Sequence, residues 1–108
     1  MLYKFKSKAA GDLILLEPQG KQLLTLIGKR PEAQGIIAPE EMLDAMEALR
    51  QAIAKQEADQ AQAQADAKAQ GLPAPRFEDI GLRQRCKPFM DMLARCHKAG
   101  QPIVWGVP

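Results

Sequence analysis

Apolar and polar residues alternate from Leu2 to Ser7, with Tyr3 and Phe5 on one side and Lys4 and Lys6 on the other. Period two with aromatics predicts a half-buried β-strand whose lysines face solvent and, were the strand at an edge, would discourage further pairing. Ala9-Ala10-Gly11 predicts a turn, and Asp12 is placed to cap a helix after it. Leu13–Leu16 is an apolar run too short to classify by period: it either pairs with the first strand as a hairpin or opens a helix. Pro18 predicts a helix start nearby, and Leu23, Leu24, Leu26 and Ile27 supply its apolar face. Gly28 ends that helix, Lys29 and Arg30 suit its negative end, and Pro31 blocks continuation. Gly35-Ile36-Ile37 is expected as a loop that tucks both isoleucines inward.

Ala38-Pro39-Glu40-Glu41 is a strong helix start, with proline early and acids in the first turn. Met42, Met46, Leu49 and Ile53 follow as one helical stripe, which then stops. Residues 54–70 hold seven Ala and five Gln and no large apolar residue. Such a segment has high helix propensity and nothing to bury, so it either projects as helix or frays into a linker. Gly71-Leu72-Pro73-Ala74-Pro75 is a break, and Asp79 is expected to cap the last helix. In that helix Leu82, Cys86, Phe89, Met90, Leu93 and His97 fall within an arc of about 100°. The apolar phase runs through Pro88, which predicts one helix kinked at proline, with Pro88 on the polar side. Gly100 ends it, and Ile103–Val107 predicts a closing strand that pairs with the first, placing Trp105, Tyr3 and Phe5 under the last helix.

These elements predict an α+β fold: two or three short strands with a short helix, a long helix and a proline-kinked C-terminal helix packed on one face. One domain spanning residues 1–108 is expected, with a mobile Ala/Gln-rich segment at about 54–75. No apolar run is long enough to span a membrane, and no secretory signal follows the N-terminal lysines, so the expected compartment is the cytoplasm. Two cysteines in that setting predict free thiols.

Net charge is only +2 but unevenly placed: +4 over residues 1–30, −6 over 31–81 and +4 over 82–108. Candidate chemistry is sparse. Cys86 and Cys96 lie about 15 Å apart along one helix, too far for a disulfide, and Cys86 and His97 are too far apart to share a metal. Cys96 and His97 are helix neighbours that point apart, a poor nucleophile–base geometry. The paired acids Glu40/Glu41 and Glu78/Asp79 sit where helix starts want them. No metal, cofactor or catalytic residue is expected. Arg83, Arg85, Lys87, Arg95 and Lys98, opposed only by Asp91, form a basic face that is the one candidate contact for an anion or nucleic acid. A solvated face, or pairing with the acidic second helix, is the favoured alternative.

Tyr3-Lys4-Phe5-Lys6-Ser7-Lys8, Gly11-Asp12-Leu13, Leu24 with Ile27-Gly28-Lys29, Gln34-Gly35-Ile36-Ile37, Leu82-Arg83-Gln84-Arg85 with Pro88-Phe89 and Met92-Leu93, and Val104-Trp105-Gly106-Val107 occur in an order that resembles a small bacterial family. That family is the domain of unknown function numbered eighteen-forty. The resemblance spans nearly the whole chain apart from the Ala/Gln-rich middle. It implies a cytoplasmic protein of Gram-negative bacteria and carries no activity, ligand or catalytic residue with it. The favoured function is therefore a non-enzymatic interaction or structural module that self-associates or binds an unknown protein. Met42, Met46, Met90 and Met92 suit an adaptable interface as well as a core. Nucleic-acid or anion binding by the basic face is the alternative, and an enzyme of unrecognised type the third.

Overall fold

A computed structural model describes residues 2–75 and 81–106. Strand β1 (Leu2–Ser7) turns at Lys8-Ala9 into β2 (Ala10–Leu16), which runs directly into helix α1 (Glu17–Leu26). A short strand β3 (Gly35–Ile37) and one 3-10 turn (Pro39–Glu41) precede the 28-residue helix α2 (Met42–Ala69). Helix α3 (Leu82–Ala99) and strand β4 (Ile103–Trp105) complete the described order. The four strands form one antiparallel sheet in the order β2-β1-β4-β3. The architecture is α+β as expected, with one strand more than the pattern suggests.

The alternation of β1 does what period two requires: Tyr3 and Phe5 are buried while Leu2 and Lys4 are exposed. β1 is an interior strand between β2 and β4, so its lysines guard no edge. Leu13–Leu16 takes the hairpin option, with Leu2 opposite Leu16 and Phe5 opposite Leu13. Asp12 consequently sits inside a strand and caps no helix, because α1 does not begin until Glu17. Ala10 and Gly11 belong to β2 rather than to the turn. Gly35-Ile36-Ile37 is a strand and not a loop, since β4 lies beside it and satisfies its backbone. Pairing imposes alternation there too, so Ile37 is buried and Ile36 faces outward.

The core lies between the sheet's inner face and the three helices. Met42, Met46, Leu49 and Ile53 of α2 are buried as their stripe predicts, and so are Leu82, Cys86, Phe89 and Leu93 of α3. Met92 and Cys96 are also buried, whereas Met90 and His97 are only half-buried. The buried arc is shifted and widened because α3 touches α2 on one side and β2 on the other. Met42, Met46 and Met92 are thus core residues, not an interface stripe. Pro88 lies inside a continuous helix, exposed as expected, where the missing backbone donor faces water. Phe89 meets Phe5 with ring centroids 5.1 Å apart, and Phe5 meets Trp105 at 6.0 Å, so one aromatic line ties α3 to the two central strands.

Each helix stops on a glycine of positive φ, and the next N–H closes back onto the last turn: Lys29 to Leu24, Leu72 to Ala67 and Gln101 to Cys96. That is the left-handed cap which only glycine adopts without penalty. The Lys29 backbone closes the end of α1, while its side chain reaches away from that end. It pairs with Glu41 at 2.5 Å instead. Asp79 and Val107 lie outside the described residues. Gly81 occupies the N-cap of α3, and the Gln56 side chain of α2 accepts a hydrogen bond from the Leu82 N–H at 2.8 Å.

Gly20 is buried in the middle of α1, against the Tyr3 ring. A Cβ there would lie 2.7 Å from that ring, whose hydroxyl donates to the Pro31 carbonyl and limits its escape. Alanine normally improves a helix interior by up to about 1 kcal/mol over glycine. Here Gly20→Ala should instead destabilise the protein by about 1–3 kcal/mol, the usual effect of overpacking. A chemical-denaturation midpoint at or above wild type would show that the ring yields.

Glu41 accepts from the Ala38 N–H at 3.0 Å and holds Lys29, and both interactions keep its carboxyl below the ordinary 4.5, the lysine contributing most. A lowered folded pKa means stability that is present above the ordinary value and lost as pH falls through the folded one. The carboxylate is 42% exposed, so screening limits the effect to about 1 kcal/mol or less. Glu41→Gln should therefore melt earlier than wild type at neutral pH and converge with it in acid. Parallel curves at all pH would remove the ion pair from the stability account.

Candidate interaction surface

Cross-strand pairing lines up residues that are scattered in the chain. Leu2 opposes Leu16, Lys4 opposes Ile14, Lys6 opposes Val104, and Val104 opposes Ile36. Directly opposed residues share a face, and residues two apart on a strand share it too. With Asp12, two residues before Ile14 on β2, these seven residues form the outer face of the sheet, away from the helices. Leu2, Ile14, Leu16 and Ile36 are 58, 52, 59 and 51% exposed, and nothing among the described residues covers them. They are four of the six exposed large hydrophobic residues among the described residues, the other two being Leu43 and Leu72 on α2 and just after it. Leu2, Ile14 and Leu16 adjoin on β1 and β2, and Ile36 lies beside Val104 at the far side of the sheet; exposed apolar surface that is clustered marks a contact surface. Lys4 and Lys6 set two cations within it.

The inner face is held rigid beneath it. The Trp105 indole N–H donates to the Glu32 carbonyl at 2.9 Å and the Tyr3 hydroxyl to the Pro31 carbonyl at 3.1 Å. Both bonds clamp the segment before β3. Gly35 lies directly under the Trp105 ring, in space that any side chain would fill. The outer apolar residues thus sit on a sheet whose strands have little freedom to turn inward.

The five cations of α3 do not converge. Arg83 makes a two-pronged contact with Glu57 of α2, at 2.8 and 3.0 Å, which lowers the Glu57 carboxyl from its usual range through hydrogen bonding to the guanidinium. Arg85 turns the other way, donating from Nη1 to Gln22 of α1 at 2.9 Å, and its Nε is buried without a partner. Lys87 leans on Asp91 within the helix at 3.7 Å. Arg95 lines a shallow depression with Gly11, Asp12 and Pro88, and Lys98 is exposed near the helix end. Among the described residues the pairing with the acidic second helix is realised at Arg83 alone.

Cys86 and Cys96 are free and fully buried. Burial pushes the Cys86 thiol up, which suppresses the nucleophilic thiolate. Among the described residues no three His, Cys, Asp or Glu side chains are placed to hold a metal. No helix among them is long and apolar enough to cross a membrane.

The outer face escapes sequence reasoning because Ile36 reads as inward and Leu13–Leu16 reads two ways. The alternation of Leu2, Lys4 and Lys6, opposite to Tyr3 and Phe5, is the one signal that could have pointed to it. No curated protein and no solved structure gives a significant match to the chain. A family model matches residues 1–105, with β1, β4 and the Trp105 that joins them inside the match: the chain belongs to the family described as a domain of unknown function, DUF1840.

Proposed function

We propose that the chain is a non-enzymatic interaction module, one cytoplasmic domain over residues 1–108, which binds protein on the outer face of its sheet. The observation that supports this is the exposure of Leu2, Ile14, Leu16 and Ile36 on one face, a set of aliphatic side chains the core does not use. Ile36→Glu places a charge in the face without touching the core. It should abolish capture of the partner from native cells, while Lys98→Glu leaves capture intact. Equal capture by both variants would remove the outer face from the function.

A second reading keeps one observation of its own. Arg95 and Lys98 have no hydrogen-bond or ion-pair partner among the described residues. If they contact nucleic acid, retention on a polyanion column should fall steeply with salt, and Arg95→Glu should weaken it. Salt-insensitive elution at low ionic strength would eliminate this reading.

The module's mobile part is the outer half of α2. The helix is about 42 Å long in a molecule measuring 53 × 28 × 22 Å, and beyond Ile53 it buries no large side chain. Local pairs such as Lys55–Asp59 and Gln62–Asp66 hold it, each adding only tenths of a kcal/mol. Amide exchange should be fast over residues 57–69, and proteases should cut first near Lys55 or Lys68. Slow exchange there would mean that this half packs against a partner.

A further inference from the structure

Among the described residues the sheet has two free edges, and they differ. β3 offers three residues, whereas β2 offers seven: Ala10-Gly11-Asp12-Leu13-Ile14-Leu15-Leu16. Among the described residues no backbone hydrogen bond reaches the outer edge of β2 from any loop. Its N–H and C=O groups on that side form an open template for another strand. Edge strands of monomers are normally blunted by lysine, proline or a bulge. β2 contains no lysine, arginine or proline, and the one irregularity in its pairing lies at the hairpin end, between Phe5 and Ser7.

Burial along β2 points to the same edge. Ile14 and Leu16 on the outer face are more than half exposed. Leu13 and Leu15 face the core, opposite the buried Phe5 and Tyr3, yet they are only half-buried. An inward-facing leucine remains half-buried when no strand lies beyond it. The strand therefore has unburied apolar surface on both faces, which a neighbouring strand would cover at once. A helix docked on the outer face would leave Leu13 and Leu15 as they are.

We propose that β2 pairs with β2 of a second copy, antiparallel across a two-fold axis, joining two four-stranded sheets into one of eight strands. The inference rests on the interaction-module reading and names the partner at this edge. Self-complementarity selects a second copy. Centred on Ile14, the pairing sets Ile14 against its own counterpart, Leu13 against Leu15, and Asp12 against Leu16. The two Asp12 carboxylates, the only charges on the strand, are then about 14 Å apart along it, beyond the screening length at physiological salt. Seven residues span about 24 Å, and one sheet layer plus one helix layer is about 20 Å deep, so roughly 500 Å² per copy is covered. That area is at the small end for a specific interface and implies a dimer that dissociates on dilution. The pairing is isologous, so it closes on two copies and leaves only the three-residue β3 edges free.

The test is the mass of the full chain in solution against concentration, from about 1 μM to 1 mM. Wild type should rise from 11.9 kDa toward twice that value. Over the same range, amides of Gly11–Leu16 that point away from β1 should become protected. Ile14→Lys, at an exposed position, should keep the one-chain mass throughout with an unchanged melt. Should that variant misfold, the concentration-dependent protection of β2 in wild type decides alone. A wild-type mass of one chain at 1 mM overturns the proposal, as does a dimer that Ile14→Lys leaves intact. A dimer whose protection falls on residues 54–69 overturns it too and moves the contact to α2. Because Ile14 also lies on the outer face, the protection pattern separates the two readings: a dimer that Ile14→Lys breaks but in which the outward amides of β2 stay unprotected overturns the edge pairing and leaves the outer-face reading, which Ile36→Glu tests.

Discussion

Truncation after Pro102 should abolish the cooperative thermal transition, not merely lower its midpoint. β4 is an interior strand, bonded to β1 through Phe5–Trp105 and Lys6–Val104 and to β3 through all three of that strand's residues. Without it β3 has no neighbour, and β1 is left with β2 alone, a two-stranded hairpin of marginal stability. Ile103 and Trp105 are also among the buried core residues, and the Trp105 indole secures the Glu32 carbonyl. No other side chain brings as much apolar area to so small a core. Circular dichroism on heating is the measurement. A sharp transition at the wild-type midpoint would mean that the sheet survives without its central strand.

Phe89→Ala should cost about 3–5 kcal/mol, the range for emptying a fully buried aromatic site. Phe89 has no exposed surface, and its ring meets Phe5 at 5.1 Å with the planes tilted by 44°. Removing it leaves a cavity between α3 and the sheet that neither Phe5, fixed on an interior strand, nor Leu93, on the same helix, is placed to fill. Against a total stability of roughly 5–15 kcal/mol, that loss brings the protein to the margin of unfolding. Urea denaturation should show the shift, with Phe89→Leu recovering much of it. A loss under about 1 kcal/mol would place the stabilising contacts of α3 with α2 instead of with the sheet.

Both expectations rest on elements that the chain reveals by period. The Tyr3/Phe5 alternation, the Met42–Ile53 stripe and the Leu82–Leu93 stripe each present enough turns or pleats for one face to stand out. β3 is three residues long, less than two periods of a strand, and its strand character comes from β4, about seventy residues away. Asp12 illustrates a local signal outbid by pairing, since its capping chemistry is real but the hairpin claims the backbone first. Met92 and Cys96 are buried by the particular neighbours of α3, which no wheel contains. The candidate surface was the least legible part. Leu2, Ile14, Leu16 and Ile36 become one face only through register, and register depends on the strand order. The charges of α3 were visible as charges, but their partners Glu57 and Gln22 lie on other helices.

The central position of β4 also sets the order in which the protein can be made. During synthesis β1 and β2 can close as a hairpin, and α1 and α2 can form, long before the middle of the sheet exists. β3 leaves the ribosome with no strand to join and must wait until residue 105 has been added. The nascent chain therefore carries an unsatisfied inner edge on β1 and an exposed aromatic face until residue 105 has been added, the condition under which strands mispair. Final closure inserts the last strand between two already present, a step dominated by contacts distant in sequence and correspondingly slow. Expression yield should respond more to what delays or hastens translation of the codons for Ile103–Trp105 than to changes in the exposed half of α2.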